Sequence, residues 1–85
     1  MAELSILYFA WVREMIGRDE DMVAPPPGAS VADVIALLAA RGGGYAQAMA
    51  RPEKLRAALD QNFVALDTPI GNARELALFP PVTGG

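Results

Sequence analysis

One stretch of this 85-residue chain repeats its apolar residues at helical spacing, and that single stripe constrains the fold more than any other feature. Val31, Val34, Ile35 and Leu38 follow the i, i+3, i+4, i+7 pattern that lines up four side chains on one face of a helix. Ser30 stands where its hydroxyl can cap the first turn, and Asp33 places a carboxylate at the positive end of the helix dipole. Asp is shorter than the Glu of a full capping box, so the reciprocal bond stays open. Arg41 complements the C-terminal end, and Gly42-Gly43-Gly44 is expected to stop the helix and continue as a flexible loop. A helix with one apolar stripe needs a surface to bury it.

Short strands are the surface on offer. Leu4 to Phe9 is apolar except for Ser5, with Leu4, Ile6 and Tyr8 on one side and Ser5, Leu7 and Phe9 on the other. Apolar residues on both faces imply a buried central strand or one whose second face is kept for a partner. Ala10 to Ile16 can form two helical turns, closed by Gly17 in the left-handed conformation. Glu20 to Ala24 reads as a strand stopped by Pro25-Pro26-Pro27, which removes three successive backbone donors. Pro52 suits a first helical position, and Arg51 to Leu59 has helix propensity throughout. Asp60-Gln61-Asn62, however, looks like a turn between two strands, Leu55 to Leu59 and Phe63 to Leu66. Propensity and turn chemistry conflict there, and both readings stand. Glu75 to Phe79 is a final strand. The economical arrangement is an α+β domain, a mixed sheet packed on one main helix.

Composition removes whole classes of chemistry. The chain has no cysteine and no histidine. It therefore lacks the commonest zinc ligands, the Ser-His and Cys-His pairs and the most frequent general base, so no metal or cofactor is expected on it. Ten acidic residues against seven basic ones give a net charge of −3, which argues against nucleic acid and against a main pocket for an anionic substrate. Met1-Ala2-Glu3 does not open a secretory signal, and no apolar run approaches the roughly 20 residues that span a bilayer. A cytoplasmic domain without a membrane partner is the expectation. The missing cysteines fit a reducing compartment.

The ending Pro80-Pro81-Val82-Thr83-Gly84-Gly85 carries the most specific signal. Two prolines fix an extended course after the last strand, so residues 1–79 read as the domain and 80–85 as a tail. Six residues reach roughly 20 Å. Gly84 and Gly85 have no side chains, so the terminus could thread a narrow channel and present an unhindered carboxylate. Such a group serves an enzyme that converts it to an acyl-adenylate, after which sulfur attack gives a thiocarboxylate. Two glycines alone also suit a frayed end or an expression remnant.

Nearly the whole chain resembles the small subunit of molybdopterin synthase. Tyr8-Phe9-Ala10 followed by Val12-Arg13-Glu14 and Gly17 is similar to that family's opening strand and short helix. Asp60-Gln61-Asn62 resembles its central turn, and Glu75 to Gly85 its ending. The family's acidic turn before the last strand is replaced by Gly71-Asn72-Ala73-Arg74-Glu75, which keeps a turn and changes its charge. The resemblance implies a β-grasp, ubiquitin-like fold. It implies that a ubiquitin-activating-like adenylyltransferase uses ATP to adenylate Gly85 and that sulfur is carried as a C-terminal thiocarboxylate. It also implies that the large subunit of molybdopterin synthase receives the tail, where sulfur passes to a pterin precursor. The chain would then be the sulfur-donor subunit of a sulfurtransferase complex, with no catalytic side chain of its own.

If the first and last strands are parallel neighbours, as the resemblance implies, Phe9 and Phe79 lie on the face away from the helix, at the end where the tail leaves. They are the expected docking patch, with Arg13 at its rim and Pro80, Pro81, Val82 and Thr83 entering the partner. Phe63 could extend the patch, although the residues do not fix its face. Gly42-Gly43-Gly44 is no phosphate loop, since no Gly-Lys-Ser/Thr follows it. Two other functions share the ending: a sulfur carrier for a thiamine-type pathway, and a protein modifier joined through Gly85 to lysines.

Overall fold

The computed structural model describes residues 3–81. Its elements are β1 (Leu4–Tyr8), α1 (Ala10–Ile16), β2 (Glu20–Val23), α2 (Val31–Ala39), α3 (Gly43–Ala48), a 3-10 turn (Pro52–Lys54), β3 (Arg56–Leu59), β4 (Asn62–Val64) and β5 (Glu75–Phe79). The five strands form one sheet in the order β2-β1-β5-β3-β4. The first and last strands pair in parallel at its centre, and the other pairs are antiparallel. Leu4, Ile6 and Tyr8 of β1, Ala57 and Leu59 of β3, and Leu76 and Leu78 of β5 share one core with Val31, Val34, Ile35 and Leu38 of α2. Alternation along each strand dictates this, because every second residue points at the helix. The result is the β-grasp arrangement, a mixed sheet covered on one face.

Local signals explain most boundaries. Gly17 closes α1 at φ 84°, with its N–H donating to the Arg13 carbonyl at 2.7 Å. At the start of α2 the capping box is complete: the Asp33 N–H donates to Ser30 Oγ at 3.2 Å, and the Ser30 N–H to Asp33 Oδ2 at 2.9 Å. Asp reaches after all. The segment from Arg56 to Leu59 is strand, because pairing with β4 on one side and β5 on the other outweighs its helix propensity. Asp60 and Gln61 alone form the turn, at φ 48° and 72°, the pair of left-handed residues that a two-residue hairpin requires. Asn62 already belongs to β4. Asp60 Oδ1 also accepts the N–H groups of Arg74 at 3.0 Å and Glu75 at 3.1 Å, tying this hairpin to the start of β5.

Three expectations are corrected. The first strand ends at Tyr8, and Phe9 is the extended residue that caps α1. Gly42-Gly43-Gly44 is not a flexible loop, because α3 begins at Gly43. A Cβ on Gly44 would overlap the carbonyl of Met15, so glycine is required where α3 crosses the end of α1. Packing between the two helices thus overrides glycine's low helix propensity. Arg41, finally, lies just beyond α2 and turns toward Asp21.

Asp21 is the buried charged side chain among the described residues, and it is fully engaged. Its Oδ2 accepts the hydroxyls of Tyr8 at 3.0 Å and Tyr45 at 2.7 Å and lies 3.4 Å from Arg41, while Oδ1 lies 3.3 Å from Arg18. One carboxylate therefore joins β1, β2 and α3. Burial, and then the hydrogen bond to Asp21, push the Tyr8 phenol well above its usual 10. The folded protein keeps a proton that the unfolded chain releases above about pH 10, so this contribution is complete below that pH and declines as pH rises further. Between pH 10 and 12, wild-type stability is expected to fall more steeply than that of Tyr8→Phe, by up to about 1.4 kcal/mol per pH unit. Urea titrations across that range check it; equal slopes would contradict it.

Candidate functional site

The face of the sheet away from α2 is apolar across four strands. Register places Leu7 of β1 beside Ala77 of β5, Ala77 beside Ala58 of β3, and Ala58 beside Phe63 of β4. The next residue of β5 on this face is Phe79, paired with Arg56 of β3. Ala58 and Ala77 lie outside the core cluster, so the row has a low floor of small residues between Leu7 and Phe63. Phe63 is 80% exposed, and its ring sits 5.6 Å from that of Phe79 at a 43° tilt. A benzyl group this open on an edge strand has no folding role to explain it.

The patch stands where the chain leaves the sheet. Phe79 is the last residue of β5, and Pro80 and Pro81 follow it outside any strand or helix, half-buried. Phe9 lies at the same end, 46% exposed, with its N–H donating to the Leu78 carbonyl at 3.2 Å. The following residue, Ala10, takes φ 54°, a left-handed conformation that swings the chain from β1 into α1. Arg13 is exposed on the first turns of α1, its N–H directed at the Phe9 carbonyl. The structure therefore brings Phe63 and Phe79 into contact and puts Phe9 and Arg13 at the same end of the domain. Val82, Thr83, Gly84 and Gly85 lie outside the described residues.

Sequence reasoning missed Leu7, Ala58, Ala77 and Arg56. Leu7 was visible in the two-faced apolar pattern of the first strand. Ala77 was visible in the alternation of the last strand, whereas Ala58 and Arg56 were hidden, because the face of a residue in Arg56–Leu59 depends on whether that segment is strand or helix. Among the described residues no group of three or more His, Cys, Asp or Glu side chains could hold a metal ion. No described helix is long and apolar enough to cross a membrane.

Comparison with known proteins places this geometry in a family. The ThiS family model matches residues 6–85. The chain is 41% identical over 85 residues to the molybdopterin synthase sulfur carrier subunit of Escherichia coli, covering 96% of this chain and 99% of the relative. It is 38% identical over 82 residues to the subunit of the same name from Haemophilus influenzae, again covering 96% and 99%. The crystal structure of small archaeal modifier protein 1 from Haloferax volcanii superposes with a TM-score of 0.74 at 24% identity, over 96% of this chain and all of that one, and shares the fold. With the family model matching almost its full length, this chain belongs to the ThiS family, alongside the sulfur carrier subunits of molybdopterin synthase.

Proposed function

We propose that the chain carries sulfur as a thiocarboxylate on Gly85 and delivers it within a molybdopterin synthase. A general sulfur-carrier role comes with its family and its relatives. The observation that supports the finer reading is the open aromatic pair Phe63–Phe79, whose Phe79 ends the strand that precedes the Gly-Gly tail. A carrier needs a surface that seats it on successive partners and a terminus that reaches their reaction centres. Here the surface includes Phe79, the residue before Pro80 opens the tail sequence.

The chemistry asks little of the carrier's own side chains. The Gly85 carboxylate attacks the α-phosphate of ATP, held by the activating enzyme, and pyrophosphate leaves. Hydrosulfide from the sulfur donor then attacks the acyl carbon and displaces AMP, and loss of its proton leaves the thiocarboxylate. In the synthase, the large subunit holds the thiocarboxylate near the pterin precursor, and proximity lowers the barrier to sulfur transfer. Without histidine or cysteine, and with a net charge of −3, the carrier has neither an obvious proton shuttle nor a cationic pocket for the precursor. Those belong to the partner.

Phe79→Ala tests the docking role. It should weaken binding to the large subunit by about 1–3 kcal/mol, as loss of an aromatic anchor does. Phe79 is half-buried and outside the core cluster, so the fold should survive. Calorimetric titration of the folded variant decides it. Unchanged affinity of the folded variant would refute the docking assignment.

A further inference from the structure

Beside the aromatic pair lies a shallow groove of about 230 Å³, lined by Arg56, Ala57, Phe63, Val64 and Phe79. Arg56 is its single charged residue. It pairs across the sheet with Phe79, so its guanidinium stands on the outer face at the last strand position before the tail. The side chain is exposed but not loose: Nη1 donates to the Leu55 carbonyl at 2.9 Å and to the Glu53 carbonyl at 3.3 Å. Two carbonyls accept from one nitrogen, and a guanidinium has five N–H donors. Among the described residues the ion pairs are Arg18–Asp21 and Arg41–Asp21, both on the helix side of the sheet, so Arg56 meets no carboxylate within 4 Å.

We infer that Arg56 is the charged contact of the docking face and that the partner presents a carboxylate to it, next to the apolar side chain that fills the groove. This rests on the docking role assigned above to Phe63 and Phe79. A guanidinium already held by its own backbone loses less freedom on binding than a mobile one, and its remaining donors form the planar fork that matches a carboxylate. The contact would fix the rotation of the carrier about its aromatic anchor, and thereby the direction in which the tail leaves. The chain is acidic overall, so a cation at this point also selects against partner surfaces that are themselves basic.

The test is titration of the large subunit of molybdopterin synthase with full-length carrier at several salt concentrations. Wild type is compared with Arg56→Ala, Arg56→Lys, Phe79→Ala and Arg74→Ala. Arg74 is exposed at the opposite end of β5, so its loss removes the same charge away from the patch. Arg56→Ala should weaken binding about tenfold and flatten its salt dependence. Arg56→Lys should recover the salt dependence but only part of the affinity, because charge returns without the fork. Arg74→Ala should match wild type, and thermal unfolding should confirm that every variant is folded. If Phe79→Ala weakens binding while Arg56→Ala behaves like Arg74→Ala, the inference fails and the docking reading stands. If neither Phe79→Ala nor Arg56→Ala changes binding, the docking reading itself fails.

Discussion

Removing Gly85 should abolish sulfur loading and leave the domain as stable as before. The activating chemistry forms an acyl-phosphate bond at the terminal carboxylate. A chain ending one residue early would have to present that group about 3.3 Å short of the enzyme's ATP. Replacing Gly84 with tryptophan should have the same effect for another reason, since only a residue without a side chain passes a channel built around bare backbone. Neither change touches the core, whose last described member is Leu78. Thermal unfolding should therefore coincide with wild type, while incubation with activating enzyme, ATP and sulfur donor should leave the protein's mass unaltered. Normal loading of the shortened chain would show that the terminus is not the acceptor.

Leu38→Ala should produce the opposite pattern. Leu38 is 0% exposed and sits in the core between α2 and the sheet. Truncating it leaves a cavity that a small core cannot close, and the expected loss is about 2–5 kcal/mol. A single domain of this size has only about 5–15 kcal/mol to lose, and its unfolding midpoint should drop by roughly 8 °C or more. Sulfur loading of the fraction that remains folded should be normal, because the site is on the other side of the sheet. Urea denaturation followed by circular dichroism measures the loss. A change below about 1 kcal/mol would mean that the stripe beginning at Val31 is not the principal core contact of α2.

The parts of this fold legible in the sequence were those fixed by local chemistry. The Val31–Leu38 stripe, its Ser30 cap and the Gly17 stop each depend on residues within a few positions of one another, and each is where the pattern puts it; the turn expected over Asp60-Gln61-Asn62 is there too, shorter by Asn62, which joins β4. What escaped depends on contacts between distant segments. The strand character of Arg56–Leu59 comes from its two neighbours in the sheet, which local propensity cannot report. The glycine at position 44 of α3 is needed because α1 approaches too closely for a Cβ there, while Gly43 has open space and a positive φ of 55°. The Asp21 cluster gathers Tyr8, Arg18, Arg41 and Tyr45 from segments up to 24 residues away, and no spacing rule announces it. The site divides the same way. The face of Phe79 followed from strand alternation, whereas Phe9 stands one residue past β1 as the cap of α1, and Phe63 and Arg56 could be placed only once β3 and β4 were known to be a hairpin.

The measurement closest to the central claim is the intact mass of the protein isolated from cells that make molybdopterin, with and without the activating enzyme. With the enzyme present, a fraction of the chain should be heavier by the difference between sulfur and oxygen, and fragmentation should locate that change at Gly85. Without the enzyme, the change should disappear. Protein that shows no such replacement, or whose C-terminus is instead found in isopeptide linkage to lysines of other proteins, would contradict the assignment as a sulfur carrier.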